Sequence, residues 1–268
     1  MDVTDEQISA AYARNPLPKV PRLFHYSNRT DIETLSRQIR AQIFYFSNPS
    51  GFNDAIDFSP YVVRSHDGEA VDVPIFTARD EGRYGQTSLQ EAEQLDHLFA
   101  ANYIEFSKIV TAKDAKCCRA FCLTESDSMP LMWAHYGGRS RGVAYGFDVE
   151  TLAKIRVPHK ILYVNSVSLT EAKAPTFPWE APLEWRCKEK IWGCEREWRL
   201  FTQNRGGGEA ANYVSLHGSL RSITFGLNCD ANDELVDRVR TVINQLSPAI
   251  ELFQVDHRHG VWTTKKLN

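Results

Sequence analysis

Four short segments concentrate the residue types that do chemistry: Leu23-Phe24-His25-Tyr26-Ser27, Tyr45 through Asp54 (YFSNPSGFND), Leu131 through Gly138 (LMWAHYGG) and Lys190 through Leu200 (KIWGCEREWRL). In the last, strand alternation puts Glu195, Glu197 and Arg199 on one face and Arg196, Trp198 and Leu200 on the other, which reads as the core side. Carboxylates two residues apart on a strand lie roughly 7 Å apart. Partly desolvated they repel, and one pKa rises unless a cation compensates, which Arg199 is placed to do. An exposed charged face is the plainer alternative.

The other segments supply polar and aromatic partners. His25 taken alone is a core histidine bonded to a carbonyl; taken with the others it is a ligand contact. Tyr136 can stack on a flat ring while its hydroxyl bonds at the edge, and Trp133 and His135 crowd the same short helix. Gly137 and Gly138 leave room for a pocket beside these rings. Asn53 and Asp54 follow a core strand and read equally as turn formers or as the rim of a site. His257 and His259 share a strand face, but no third metal ligand accompanies them. No Ser-His-Asp order, glycine-rich phosphate loop or C-x-x-C pair occurs.

These side chains need a scaffold. Short apolar runs read as strands at RLFHYS, QIFYFS, FSPYVVRS, RAFCLT, GVAYGF, KILYVNSV, EREWRLFTQ, YVSL, SITFGL, IELFQVD and VWTTKK. Helices are expected over Thr4–Arg14, from Thr30 or Asp31 through Ile39, over Ser88–Ile109, within SDSMPLMWAHYGG with Pro130 in the first turn and Gly137-Gly138 ending it, over APLEWRCKEKIW, and from Asn232 to Leu246. Strands outnumber helices and many connections are short. The expectation is an α+β fold with a mostly antiparallel, split central sheet and flanking helices. One domain is expected over 1–268, with a core over about 22–201 and a C-terminal strand-helix-strand extension, about 212–265, packed on it.

The chain has 268 residues, 31 Lys plus Arg against 34 Asp plus Glu, and a net charge of −3. That balance argues against a permanent nucleic-acid partner, which favours a basic surplus. No apolar run approaches the roughly 20 residues that cross a bilayer, and the acidic start is unlike a signal peptide. The six cysteines read as reduced thiols of a cytoplasmic protein.

FHYS, YFSNPSGFND, LMWAHYGGRSRGVAYGF and KEKIWGCEREWRLF, in that order, resemble the bacterial family known as domain of unknown function 2971, over about Arg22 to Phe201. The family name implies no activity. A weaker resemblance is to ADP-ribosyltransferases, in the order His25, a helix, the strand YFS, the strand RAFCLT, Tyr136, the strand GVAYGF, then Glu195 or Glu197. The E-x-E pair is similar to that of transferases that modify arginine. Two departures are a helix before the acidic pair and no serine-threonine-serine motif.

That resemblance implies an ADP-ribosyltransferase-like fold and cleavage of the nicotinamide-ribose bond of NAD. ADP-ribose would pass to a protein or nucleic-acid acceptor, in a toxin or phage-defence setting, without a metal. Glu197 would hold the ribose 2′-hydroxyl, Glu195 would orient the acceptor, His25 would bond the adenosine ribose, and Tyr136 with Trp133 would stack on nicotinamide. Tyr26, Ser47, His135 and Arg199 would complete the NAD contacts, with Asn53, Asp54 and Lys190 at the rim. The reading requires His25, Tyr136 and one of the two glutamates in a single cleft. The rivals are a non-catalytic module that binds a nucleotide or peptide in the same place, and a metal-free nuclease or toxin.

Overall fold

A computed structural model describes residues 17–52, 57, 117–164, 187–204, 206, 208–229, 233–246 and 250–267. The chain divides into two compact units. The first comprises residues 1–47, 120–161 and 192–268, and the second residues 48–119 and 162–191. The expected helices over Thr4–Arg14 and Ser88–Ile109, the strand FSPYVVRS, and Asn53 and Asp54 lie outside the described residues.

The first unit is organised on an eight-stranded sheet in the order β12-β11-β10-β4-β1-β3-β8-β5. Its strands are β1 (Arg22–Ser27), β3 (Cys118–Thr124), β4 (Val143–Asp148), β5 (His159–Lys160), β8 (Glu197–Gln203), β10 (Leu220–Phe225), β11 (Glu251–Arg258) and β12 (Val261–Lys266). β1 runs antiparallel to β3 and β4, β4 to β10, β5 to β8 and β11 to β12, while β10 and β11 are parallel. The class is therefore α+β with a mixed, mostly antiparallel sheet. The main sheet is one continuous surface rather than a split one. The expected C-terminal extension is part of it, because β10 pairs directly with β4. A small second sheet pairs β2 (Ile43–Tyr45) with β9 (Tyr213–Ser215).

Helix α1 (Ile32–Ala41) starts at Asp31, whose carboxylate accepts the Thr34 amide at 2.8 Å, so one orphan donor of the first turn is satisfied. Its end is a left-handed Gln42 (φ 47°) whose N–H donates to the Gln38 carbonyl. Leu35 and Ile39, four residues apart, bury one stripe of this helix. They pack with Val236, Val239, Val242 and Ile243 of α4 (Asp233–Leu246) and with one face of the sheet. That face carries Leu23, Phe121, Leu123, Tyr145, Phe147, Trp198, Leu200, Ile223 and Phe225. At about 1.5–3 kcal/mol per fully buried large apolar side chain, this cluster is the main source of stability.

The second face is smaller. Tyr26, Ala144 and Val255 pack there against Met132 and Trp133 of α2 (Pro130–His135). Alternation along the strands assigns Phe24, Thr124, Gly146, Ser222, Thr224, Glu197 and Arg199 to this same face. Helix α3 (Val149–Ile155) is capped by the Asp148 carboxylate, which accepts the Thr151 amide at 2.9 Å.

In the second unit, β6 (Leu162–Val164) pairs parallel with β7 (Cys187–Glu189). The buried Lys188 ammonium lies 3.6 Å from the buried Asp57 carboxylate. The expected helix over APLEWRCKEKIW is replaced, where it is described, by β7 and a 3₁₀ turn over Lys190–Glu195. The expected strand KILYVNSV is, where it is described, two short pieces, β5 and β6, interrupted at the buried Ile161.

Candidate functional site

The Tyr136 hydroxyl donates to Glu195 Oε1 at 2.6 Å. Two motifs 59 residues apart in sequence therefore meet at one carboxylate. Tyr136 is the C-cap of α2 and is held by its N–H to the Met132 carbonyl. Glu195 ends the 3₁₀ turn and is only 4% exposed. The Thr124 hydroxyl, at the end of β3, donates to the Glu195 backbone carbonyl at 2.5 Å and fixes the turn to the sheet. A short, half-buried hydrogen bond to a carboxylate is of the strong, charge-assisted kind.

Glu195 and Glu197 do not lie on a common strand face as expected. Arg196 between them takes a left-handed conformation (φ 46°) and is exposed, so β8 begins only at Glu197. The alternation argument applies only within the strand, where it holds for Glu197 and Arg199. Both faces of β8 are buried from Glu197 to Leu200. Arg199, fully buried, donates through Nε to Glu197 Oε1 at 2.6 Å and through Nη2 to Oε2 at 2.9 Å. Arg199 thus compensates Glu197 as anticipated, but as an interior fork-to-fork pair rather than as an NAD contact.

Trp133 is corrected from ligand platform to core. It is 0% exposed, meets the Tyr26 ring edge-on at 4.7 Å, and donates Nε1–H to the Asp127 carbonyl at 2.8 Å. The space expected beside the two glycines is filled, beside Gly137 by this ring and beside Gly138 by Asn28. A Cβ on Gly137 would stand 2.4 Å from Trp133 Cε3, so glycine is required for close approach rather than to open a pocket. Gly138, Arg139 and Ser140 then take three successive positive φ values, 57°, 56° and 62°, a conformation that costs the two non-glycine residues energy.

His25 is the second correction. It stacks on Phe121 at 4.1 Å and shares a hydrogen bond with the Cys122 carbonyl through Nδ1 at 2.9 Å. Phe121 belongs to the larger core, whereas Tyr136 packs with Tyr26 on the opposite face of the sheet. His25 therefore does not share a cleft with Tyr136 and Glu195. Its neighbour Tyr26 takes the place on their side, with its hydroxyl donating to the Ser126 carbonyl at 2.8 Å. Burial pushes the Tyr26 hydroxyl well above the ordinary phenol range.

The remaining candidates scatter. His135 is exposed. Ser47 forms an isolated bridge with Ala120, and four residues of β3, about 13 Å, separate Ala120 from Thr124. Lys190 is exposed and belongs to the second unit. His257 lies on β11, but His259 sits in the following turn with φ 52°, so the two do not share a strand face. Among the described residues no three His, Cys, Asp or Glu side chains are grouped to hold a metal. No described helix is long and apolar enough to cross a membrane. Cys117 and Cys194 are free thiols.

One residue escaped the sequence reading. Asp127 accepts the Thr224 hydroxyl at 2.8 Å on Oδ2 while its carbonyl accepts Trp133 Nε1–H. Burial pushes its carboxyl above the ordinary aspartate range. The signal available was Ser-Asp-Ser directly after an apolar strand, a pattern that also reads as a simple helix cap.

The pKa of His25 is lowered to about 4, by desolvation. The folded state therefore holds it neutral while the unfolded chain protonates it below about 6.5. Stability is expected to fall as pH drops from about 6.5 to about 4 and to lose this contribution to the slope below that. Melting temperatures of wild type and His25→Phe across that window check the sign. A slope unchanged by the substitution would show that other groups carry it.

Comparisons with family models, with curated proteins and with solved structures found no match to this chain.

Proposed function

We propose that the Tyr136–Glu195 corner is the ligand-contacting centre of a nucleotide-type binding module. The observation that carries this reading is the 2.6 Å hydrogen bond from Tyr136 to a carboxylate only 4% exposed. A carboxylate accepts several hydrogen bonds, and the two hydroxyls of a ribose are suitable donors. A phosphate would be repelled by it. The half-buried ring of Tyr136 offers a flat wall for a base or for nicotinamide.

A second reading, an ADP-ribosyltransferase-like enzyme or NAD glycohydrolase, is favoured by the same Tyr-Glu pairing. It assigns the oxocarbenium-stabilising charge to Glu195 instead of Glu197, because Glu197 is engaged by Arg199. His25 has no part in it, and the missing histidine places binding ahead of turnover. A protein or nucleic-acid acceptor belongs to this second reading only.

Calorimetric titration with NAD and with ADP-ribose, together with a nicotinamide-release assay, tests both. Glu195→Gln is expected to weaken binding roughly tenfold to a hundredfold, and Tyr136→Phe by less. Release of nicotinamide by wild type, slowed about 10²-fold or more in Glu195→Gln, would put the enzyme reading first. Wild-type protein that binds neither compound overturns both.

A further inference from the structure

Arg139 and Arg141 flank a buried Ser140 in the turn between α2 and β4, and both are exposed. Arg139 and Ser140 are left-handed there, a conformation that persists in such residues only when the surroundings impose it. Here hydrogen bonds do so. Ser140 N–H donates to the Trp133 carbonyl at 3.1 Å, Gly142 N–H to the Gly137 carbonyl at 2.9 Å, and Asn228 N–H to the Ser140 carbonyl at 2.7 Å. The turn therefore holds two exposed arginines on a fixed backbone.

A third arginine joins them. Ser27, the last residue of β1, pairs with Val143, the first of β4. Continued by two residues, that antiparallel register sets Arg29 opposite Arg141. The close approach persists beyond the strands, since a Cβ on Gly142 would stand 3.0 Å from Asn28 Cα and one on Gly138 would stand 3.1 Å from Asn28 Cβ. Arg29 is also exposed. Like charges set opposite each other repel, and no acid answers them from the turn: residues 130–147 contain Arg139, Arg141 and His135 but no Asp or Glu. Residues 226–229, packed on the turn through Asn228, bring no acid either. Asp31, two residues after Arg29, commits its carboxylate to the α1 cap, and Arg29 acts on it only through space.

We propose that the Arg29–Arg139–Arg141 edge is a binding surface for single-stranded nucleic acid. Guanidinium groups match phosphate oxygens in geometry as well as charge. Three exposed arginines along a loop edge suit the successive phosphates of a strand better than the one phosphate of a mononucleotide. The exposed His135, at the end of α2 that leads into the turn, adds a flat ring on which an unpaired base can stack. The chain's net charge of −3 confines the attraction to this edge, so the affinity expected at physiological salt is on the order of 10⁻⁶–10⁻⁴ M. The inference does not rest on the ligand proposed for the Tyr136–Glu195 corner.

Fluorescence anisotropy of the full chain with a labelled oligothymidylate of about 20 nucleotides, from about 50 to about 200 mM salt, tests this. For three phosphates neutralised, log K is expected to fall with log salt at a slope of about −2. Arg139→Asn, which accepts the left-handed conformation readily, Arg141→Gln and Arg29→Gln are each expected to reduce that slope by about 0.7. Each is expected to melt close to wild type. His135→Ala is expected to weaken binding roughly fivefold or more without changing the slope. Lys154→Gln removes the same charge from an exposed position on α3, beyond the other end of β4, and is expected to leave binding unchanged.

Wild type that does not bind the oligonucleotide would overturn the proposal. So would a loss in Lys154→Gln equal to that in Arg139→Asn, which would mean diffuse charge attraction. Tighter binding of a duplex of the same length would reassign the edge to double-stranded backbone, and equal binding of polyglutamate to an acidic protein segment; either result sinks the single-strand assignment.

Discussion

Glu197→Gln is expected to destabilise the protein by about 3–5 kcal/mol, because it removes a carboxylate that takes two hydrogen bonds from a fully buried Arg199. For a chain of this size that corresponds to a fall in Tm of roughly 10 °C or more. The reason is asymmetry. A buried ion pair contributes little net stability compared with apolar residues of the same shape, yet removing one partner leaves the other charge desolvated with part of its interaction lost. Gln keeps the size and one hydrogen bond but not the charge, and the two-point contact from Nε and Nη2 is broken. The double variant Glu197→Gln/Arg199→Met is expected to recover much of the loss. Thermal melts followed by circular dichroism check both. A single variant that melts within about 2 °C of wild type but no longer binds its ligand would return Glu197 to the site.

Trp133→Ala is expected to cost about 3–5 kcal/mol by the cavity it leaves. Three supports vanish together: the edge-on contact with Tyr26, the N–H bond to the Asp127 carbonyl, and the surface on which Gly137 rests. The consequence reaches the candidate site, since Asp127 and α2 position their neighbours through this ring. Trp133→Phe restores much of the volume and is expected to cost less, chiefly the orphaned carbonyl at roughly 1–3 kcal/mol. Denaturant unfolding of both variants gives the numbers. A stable Trp133→Ala protein with impaired nucleotide binding would mean that the indole contacts ligand, and the assignment to the core would be withdrawn.

Local pattern was legible wherever one physical rule dominated. The Asp31 cap, the Leu35–Ile39 stripe, Pro130 in the first turn of α2, and strands at RLFHYS, RAFCLT, GVAYGF and SITFGL follow from capping, 3.6-residue periodicity and short apolar runs. The errors fell where a single backbone torsion or a sheet face decided. Arg196 in the left-handed region cut the strand expected over Glu195–Gln203 and separated the two glutamates. An isolated sequence offers little warning that an arginine will adopt a conformation usually left to glycine or asparagine.

The meeting of the third and fourth motifs was also legible, as a concentration of polar and aromatic residues, and Tyr136 and Glu195 do meet. Which member of each pair takes part was not. His25 and Tyr26 are adjacent, and strand alternation guarantees that they face opposite ways. It does not say which face carries α2 and which carries α1 and α4. Trp133 and Tyr136 share one short helix, and only the packing of that helix on β1 and β4 buried the first and left the second half-buried.

The amino-acid sequence by itself determined the class of fold, most strands, the cap of α1, Pro130 in the first turn of α2, and the set of side chains from which a site could be built, because these depend on neighbours a few residues away. Tertiary structure alone decided that the Glu197–Arg199 pair is buried, that Glu195 answers Tyr136, that His25 belongs to the larger core, and that Arg156 keeps a buried Nε without a partner. Each of those outcomes turns on contacts between residues distant in the chain or on which face of a sheet is covered. Burial and countercharge are properties of the packed sheet and are not encoded in any one segment.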